Sequence, residues 1–306
     1  MNISDESLDQ YIYTRKLAFP PELEKGFRQD YFNRSLVANR VGSVAGLIVM
    51  AAFGTGTDAR NTFGFMDKIV KSEFPDHEIV WAYTSRSVRR RSADTLYDPK
   101  QALLRLEEKG CEWAVVQSLH VTGGHELHRL AEEIRNSRIR LSIGLPLLSS
   151  PEDYHKVIEA VIPLFPGDLS REAAILIGHG TDHPSWSVYP ALAYMIRERF
   201  DKGVYVGLVE DGYPTRDIVI NAVKQAGFRQ VRLIPLMLTA GIHFQKDLMG
   251  DEDSWKTAFE AEGISVSAEN NGLGFCKKIV QIFCDHIREA LAVIPARAET
   301  GGIRSR

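Results

Sequence analysis

A diverged internal repeat limits what this chain can fold into more than any single motif does. The segment around Gly54-Thr55 lies over the segment around Gly180-Thr181 at a constant offset of 126 residues, which sets Phe53 opposite His179 and Thr84 opposite Glu210. Further on, SLHVTGGHELHRL (118–130) lies over LMLTAGIHFQKDL (236–248) at an offset of 118, pairing Gly123 with Gly241 and His125 with His243. A chain that repeats itself in this way builds two similar halves, here meeting in the Pro-rich, acidic stretch between Leu148 and Ser170.

Within each half, short apolar runs alternate with longer segments of helical period, the signature of βαβ units and a parallel sheet. The pattern predicts strands at 46–53, 78–83, 113–118, 173–177, 204–209 and 231–236, with a weaker one at 264–268. Helices are predicted at 61–73, 99–109, 126–136, 189–199, 216–226 and 277–291. The expected architecture is therefore α/β, with two similar βαβ-type halves built on parallel sheets. The expected division is an N-terminal arm over 1–45, one half over 46–150 and a second over 151–306.

Composition narrows the function classes. A net charge of -3 does not favour nucleic acid as a partner. The three cysteines, Cys111, Cys276 and Cys284, contain no CxxC pair and read as free thiols of a reducing compartment, which points to the cytoplasm. The first 25 residues are acidic and polar where a secretion signal would be basic and then apolar. The most apolar early run, 44–53, is about half the length that spans a bilayer, so no membrane partner is expected. Neither G-x-G-x-x-G nor G-x-x-x-x-G-K-[ST] occurs at the strand-to-helix turns, so no nucleotide cofactor is expected.

In an open α/β sheet, ligands bind beyond the carboxyl ends of the strands. Three residues of the second half fall there. His179 ends the run AAILIG, Glu210 ends VYVGLV, and His243 follows VRLIPLM in the loop TAGIH. Two imidazoles and a carboxylate suit a divalent transition metal, because imidazole is a borderline ligand and a single carboxylate does not make a calcium cage. The same groups can take up protons. The set is complete only in the second half, since the first carries Phe53, Thr84 and His125 at the paired positions.

The ordered motifs AFGTxxxxR (52–60), WAYTSR (81–86), VVQSLH (115–120), HGTxHP (179–184), VExxYP around 210–214 and PLMxxAGxH (235–243), followed by GDEDSWK, resemble the anaerobic-type sirohydrochlorin cobalt chelatases of cobalamin biosynthesis, class II chelatases related to ferrochelatase. The likeness runs from about Gly46 to about Leu291. It implies two α/β halves with a cleft between them, and a metal held by a His, a Glu and a second His matching His179, Glu210 and His243. It also implies that the metal is a substrate, cobalt first and iron or nickel as alternatives, and that the partner is a tetrapyrrole. Assembly into a homo-oligomer is compatible with this class. Asp211 and Gly212 lengthen the spacing before Tyr213-Pro214 by one residue, which makes Asp211 the alternative carboxylate.

Sirohydrochlorin carries eight carboxylates, so its cleft should offer cations. Arg86, with Arg89, Arg90 and Arg91 after it, is the expected source, since guanidinium pairs with carboxylate in fork geometry. His125, His183 and Tyr189 are expected at the cleft wall, and Trp81 and Trp186 are the aromatic candidates for stacking on a macrocycle. The competing readings are a haem or tetrapyrrole carrier, and an α/β metallohydrolase, which lacks the expected carboxylate-rich cluster.

Overall fold

The computed structural model describes residues 46–55, 61–91, 96–210 and 212–293. The calls on the N-terminal arm and on Asp211 lie outside the described residues. The first sheet contains β1 (Leu47–Ala52), β2 (Glu78–Tyr83), β3 (Trp113–Ser118) and β4 (Arg140–Gly144), in the order β2-β1-β3-β4. The second contains β5 (Glu172–Gly178), β6 (Val204–Leu208), β7 (Gln230–Pro235) and β8 (Ser265–Ala268), in the order β6-β5-β7-β8. All pairings are parallel. The same strand order twice is the structural form of the sequence repeat.

The repeat alignment needs one correction. In the first sheet Ala51 pairs with Ala82, whereas its counterpart Ile177 pairs with Gly207, not Leu208. The residue matching Glu210 in the strand register is therefore Ser85 rather than Thr84: Ser85 N–H donates to the carbonyl of Phe53, and Glu210 N–H to that of His179. The connection into β6 is one residue shorter than that into β2, which a constant offset hides.

Burial follows strand position. Every residue of the central strand β1, LIVMAA, is buried, and all of β5 except its first residue. A central strand covered on both faces reads as a continuous apolar run. Leu47, Val49 and Ala51 of β1 pack with Ala102, Leu103 and Leu106 of α3 (Pro99–Glu108) and with Leu130 and Ile134 of α4 (His125–Ile134). Ala173, Ile175 and Ile177 of β5 hold the corresponding place in the second half. They pack with Val219, Ile220 and Val223 of α7 (Arg216–Gln225) and with Trp255 and Phe259 of α8 (Trp255–Ala261). Each Val, Leu, Ile or Phe side chain among them contributes about 1.5–3 kcal/mol by leaving water.

The remaining helices are α1 (Asn61–Glu73), α2 (Arg86–Arg91), α5 (Pro151–Val161), α6 (Val188–Arg199) and α9 (Lys277–Val293). The acidic stretch after Leu148 is not only a connection, because Ser150 and Asp153 close a capping box that starts α5 at Pro151. The last helix, α9, reaches back to earlier elements. His286 bonds to Leu145 and Asp153, Lys156 to Asp285, and Arg288 to Glu73 while lying 5.3 Å from the Phe74 ring.

Candidate metal and tetrapyrrole site

β5 and β6 end side by side, and their register sets His179 beside Glu210 at the sheet rim. Gly180 follows with φ at +91°, a conformation open to glycine and strained for other residues, and Gly54 repeats it at +94° in the first half. Beneath the loop, Tyr189 of α6 is buried, and its hydroxyl accepts from Gly180 N–H at 3.3 Å. Burial pushes the Tyr189 phenol up from its ordinary pKa. At the end of β6, the indole of Trp255 donates to the carbonyl of Leu208 at 3.1 Å and lies against Gly207, fixing the backbone two residues before Glu210. Trp255 belongs to the SWK motif but was not singled out from the sequence. Its signal was an aromatic directly after the helix cap Ser254.

His243 enters from the loop after β7, at the head of a π-helical turn over Phe244–Leu248. Its Nδ1 lies 2.8 Å from Asp247 Oδ2, and Nδ1 of His179 lies 3.2 Å from the carbonyl of Gly180. Both oxygens only accept, so each Nδ1 carries the hydrogen and each neutral ring presents a bare lone pair at Nε2. The two Nε2 atoms face each other at 3.2 Å, lone pair to lone pair when both rings are neutral. Two acceptors repel unless a positive species lies between them. Nitrogens bound at about 2.1 Å to one divalent ion lie roughly 3.0 Å apart at a right angle and roughly 3.4 Å at the tetrahedral angle, so the observed spacing suits one shared ion. Glu210 stands alongside, with Oε1 3.6 Å from His179 Nε2. Among the described residues no three His, Cys, Asp or Glu side chains are already closed into a chelating set. The two imidazoles and the half-exposed Glu210 carboxylate therefore stand at one rim without forming a closed set.

His179, Glu210 and His243 line a cleft of about 1290 Å³, larger than the 300–1,000 Å³ usual for small ligands. Phe53, His125 and Arg129 line it as well. Phe53 is 48% exposed, and it occupies the rim position that His179 has in the other half. Trp81 and Trp186 do not line this cleft. Trp81 donates to Asp67 and stacks on Tyr83, and Trp186 pairs with Tyr213. His120, also at the wall, has an enclosed Nε2 without a hydrogen-bond partner although the residue as a whole is partly exposed. Burial pushes its pKa down to about 4.

Other sequence candidates fall nearby or elsewhere. His125 Nε2 contacts Asp182 at 2.8 Å. His183 sits behind the wall, its ring edge-on to those of His125 and His128 at 5.0 and 4.7 Å between centroids. Its Nδ1 accepts from Ser185 N–H, so Nε2 carries the hydrogen in the neutral ring. Burial, then the neighbouring His128 and His125, lower its pKa. Arg86 is exposed at the start of α2 and does not line the cleft, where Ser87 and Val88 form the wall. Arg89 is committed to the carbonyls of Tyr83 and Thr84 and to Asp98. Among the described residues, the Lys or Arg at the wall is Arg129, which sequence reasoning missed because HELHRL reads as an ordinary amphipathic helix.

The comparisons with known proteins agree with this architecture. The family model described as cobalt chelatase (CbiK) matches residues 46–292. The sirohydrochlorin cobaltochelatase of Salmonella typhimurium is 34% identical over 256 residues, covering 80% of this chain and 96% of that protein. The sirohydrochlorin cobaltochelatase CbiKC of Nitratidesulfovibrio vulgaris is 32% identical over 258 residues, covering 81% and 91%. Among solved structures, SirB from Bacillus subtilis with Fe3+ superposes with a TM-score of 0.59 at 16% identity, covering 81% of this chain and 96% of that one, a likeness of fold. With the family model spanning nearly all of the described residues and two curated relatives matched along almost their whole length, the chain belongs to the cobalt chelatase (CbiK) family.

Proposed function

We propose that this chain inserts a divalent metal, cobalt in preference to iron or nickel, into sirohydrochlorin. The observation that carries the reading is the pair of Nε2 lone pairs facing each other at 3.2 Å between His179 and His243. A cation relieves that repulsion, and the cleft beside it has room for a macrocycle. The relatives' names supply the metal and the tetrapyrrole.

In this reading His179 and His243 take the metal through Nε2, and Glu210 supplies the anionic ligand. Insertion exchanges one divalent cation for two pyrrole N–H protons. Each imidazole that hands over the metal regains a bare Nε2, which can accept one of those protons. Asp247 holds the His243 ring by its other nitrogen throughout, as an outer partner orients a metal-bound histidine. The half over 151–306 thus supplies the metal side and the half over 46–150 the opposite wall, with the arm over 1–45 dispensable for the chemistry. His125, His183 and Tyr189 shape the wall, and Arg86 belongs to its outer surroundings.

Among the described residues no helix is long and apolar enough to cross a membrane, and Cys111, Cys276 and Cys284 are free thiols. We infer work in the cytoplasm, with no nucleic-acid or membrane partner and with a homo-oligomer as a compatible assembly. The test follows the absorbance of sirohydrochlorin with cobalt, iron and nickel in turn, with and without the protein. Many turnovers per chain are expected, fastest with cobalt. Stoichiometric binding without turnover would instead identify a carrier.

A further inference from the structure

The cleft contains one Lys or Arg among its described lining residues, Arg129 of α4. Its Nη1 lies 3.1 Å from Oε1 of Glu126, three residues earlier on α4. The other oxygen of that carboxylate, Oε2, accepts from the hydroxyl of Thr84 at 3.2 Å. Thr84 is 2% exposed at the end of β2. An exposed ion pair one turn apart on a helix contributes little by itself. This one differs because the carboxylate is gripped from behind by a buried hydroxyl, which fixes where the guanidinium stands. Guanidinium has five N–H donors in a planar fork, and one contact with Glu126 leaves the others for a second carboxylate.

Among the described lining residues the other ionisable groups include three carboxylates, Glu126, Asp182 and Glu210, so of these side chains Arg129 and the histidines are the ones that can attract a polyanionic ligand. We propose that Arg129 is the anchor for a peripheral carboxylate of the tetrapyrrole, and that Glu126 and Thr84 are its positioning residues. This rests on the tetrapyrrole reading above. The anchor sets which way round the macrocycle enters, with the acid chains held on α4 and the ring centre turned toward His179 and His243. Phe53, on the same wall, offers the apolar face between them.

The test uses the full chain and two readouts. Arg129→Gln should raise the KM for sirohydrochlorin roughly tenfold or more, the worth of one charge-assisted hydrogen bond, while kcat stays within about twofold and the KM for cobalt is unmoved. Metal-free binding of uroporphyrin, an eight-carboxylate probe followed by fluorescence, should weaken by the same factor and lose part of its salt dependence. Arg129→Lys should recover part of the loss, since it keeps the charge and loses the fork. Glu126→Gln and Thr84→Val should shift the tetrapyrrole KM in the same direction by about threefold, with thermal stability close to that of the parent for Glu126→Gln. Unchanged tetrapyrrole KM and uroporphyrin affinity in Arg129→Gln would overturn the anchor while leaving the chelatase reading intact. A parent protein that neither binds uroporphyrin nor inserts cobalt would instead overturn the reading itself, and the anchor with it.

Discussion

His286 Nε2 donates to Asp153 Oδ1 across 3.0 Å in the buried interior, between positions far apart in the chain. The other ring nitrogen donates to the carbonyl of Leu145 at 2.9 Å. Both ring nitrogens are thus engaged by acceptors, and Asp153 Oδ2 is satisfied by Ser150. Removing one partner of such a pair strands the other, so His286→Ala should lose about 3–5 kcal/mol of unfolding free energy in urea titrations at neutral pH.

The same pair gives a pH dependence with a defined sign. Burial by itself would raise the Asp153 pKa, but the hydrogen bond and charge of His286 outweigh it and, with Ser150, hold the carboxyl below its ordinary value. A depressed carboxyl contributes stability that is fully present above its unfolded pKa of about 3.9 and is lost as pH falls through the folded value. Asp153→Asn should therefore flatten the stability profile below about pH 4 relative to the parent. Denaturant midpoints measured at several acidic pH values check this, and parallel profiles would reject it.

His179, Glu210 and His243 should respond as a unit. His179→Ala and His243→Ala remove one of two facing imidazoles and should lower cobalt insertion by about a hundredfold or more, with folding retained by circular dichroism. Glu210→Gln keeps the shape and loses the charge, so cobalt affinity should fall while uroporphyrin affinity stays within a few-fold. Near-parental turnover in either histidine variant would remove the proposed metal site.

Asp247 isolates the orienting effect. Asp247→Ala frees the His243 ring to turn and to place its hydrogen on Nε2, which should reduce cobalt affinity about 10–100-fold by titration calorimetry. Tetrapyrrole binding should be spared. Equal losses for both ligands would mean that the π-helical turn had collapsed instead.

Gly180→Ala probes the backbone beneath His179. A φ of +91° strains alanine, and the cost should be about 1–2 kcal/mol or a shifted loop. Insertion should drop more than thermal stability does, because the loop sets His179 against His243. The matching Gly54→Ala should cost similar stability, with a smaller effect on cobalt affinity.

The strand-and-helix plan was legible because central parallel strands announce themselves as apolar runs. β4 escaped for the complementary reason: RLSIG is short, polar at Arg140 and Ser142, and lies at a sheet edge where only part of it needs burial. The three candidate residues drew attention because His179 and Glu210 stand just past the ends of readable strands and His243 lies in the loop after a third. Arg129 was not, since what distinguishes it is Thr84 reaching Glu126 from another element, and the RSVRRR run drew attention by charge density alone. The lone-pair opposition between His179 and His243 is equally invisible in sequence, because it depends on Asp247 and a backbone carbonyl fixing the tautomers.

α9 follows the second sheet in the chain, yet it bonds to Glu73 and Leu145, which belong to the segment that builds the first. The first sheet is therefore continuous in sequence but covered in part by a helix that lies beyond the second. The repeat in sequence is thus not a partition in space: α9 ties the two segments together, and a cut between them would take from the first sheet contacts that its own stretch of chain does not supply.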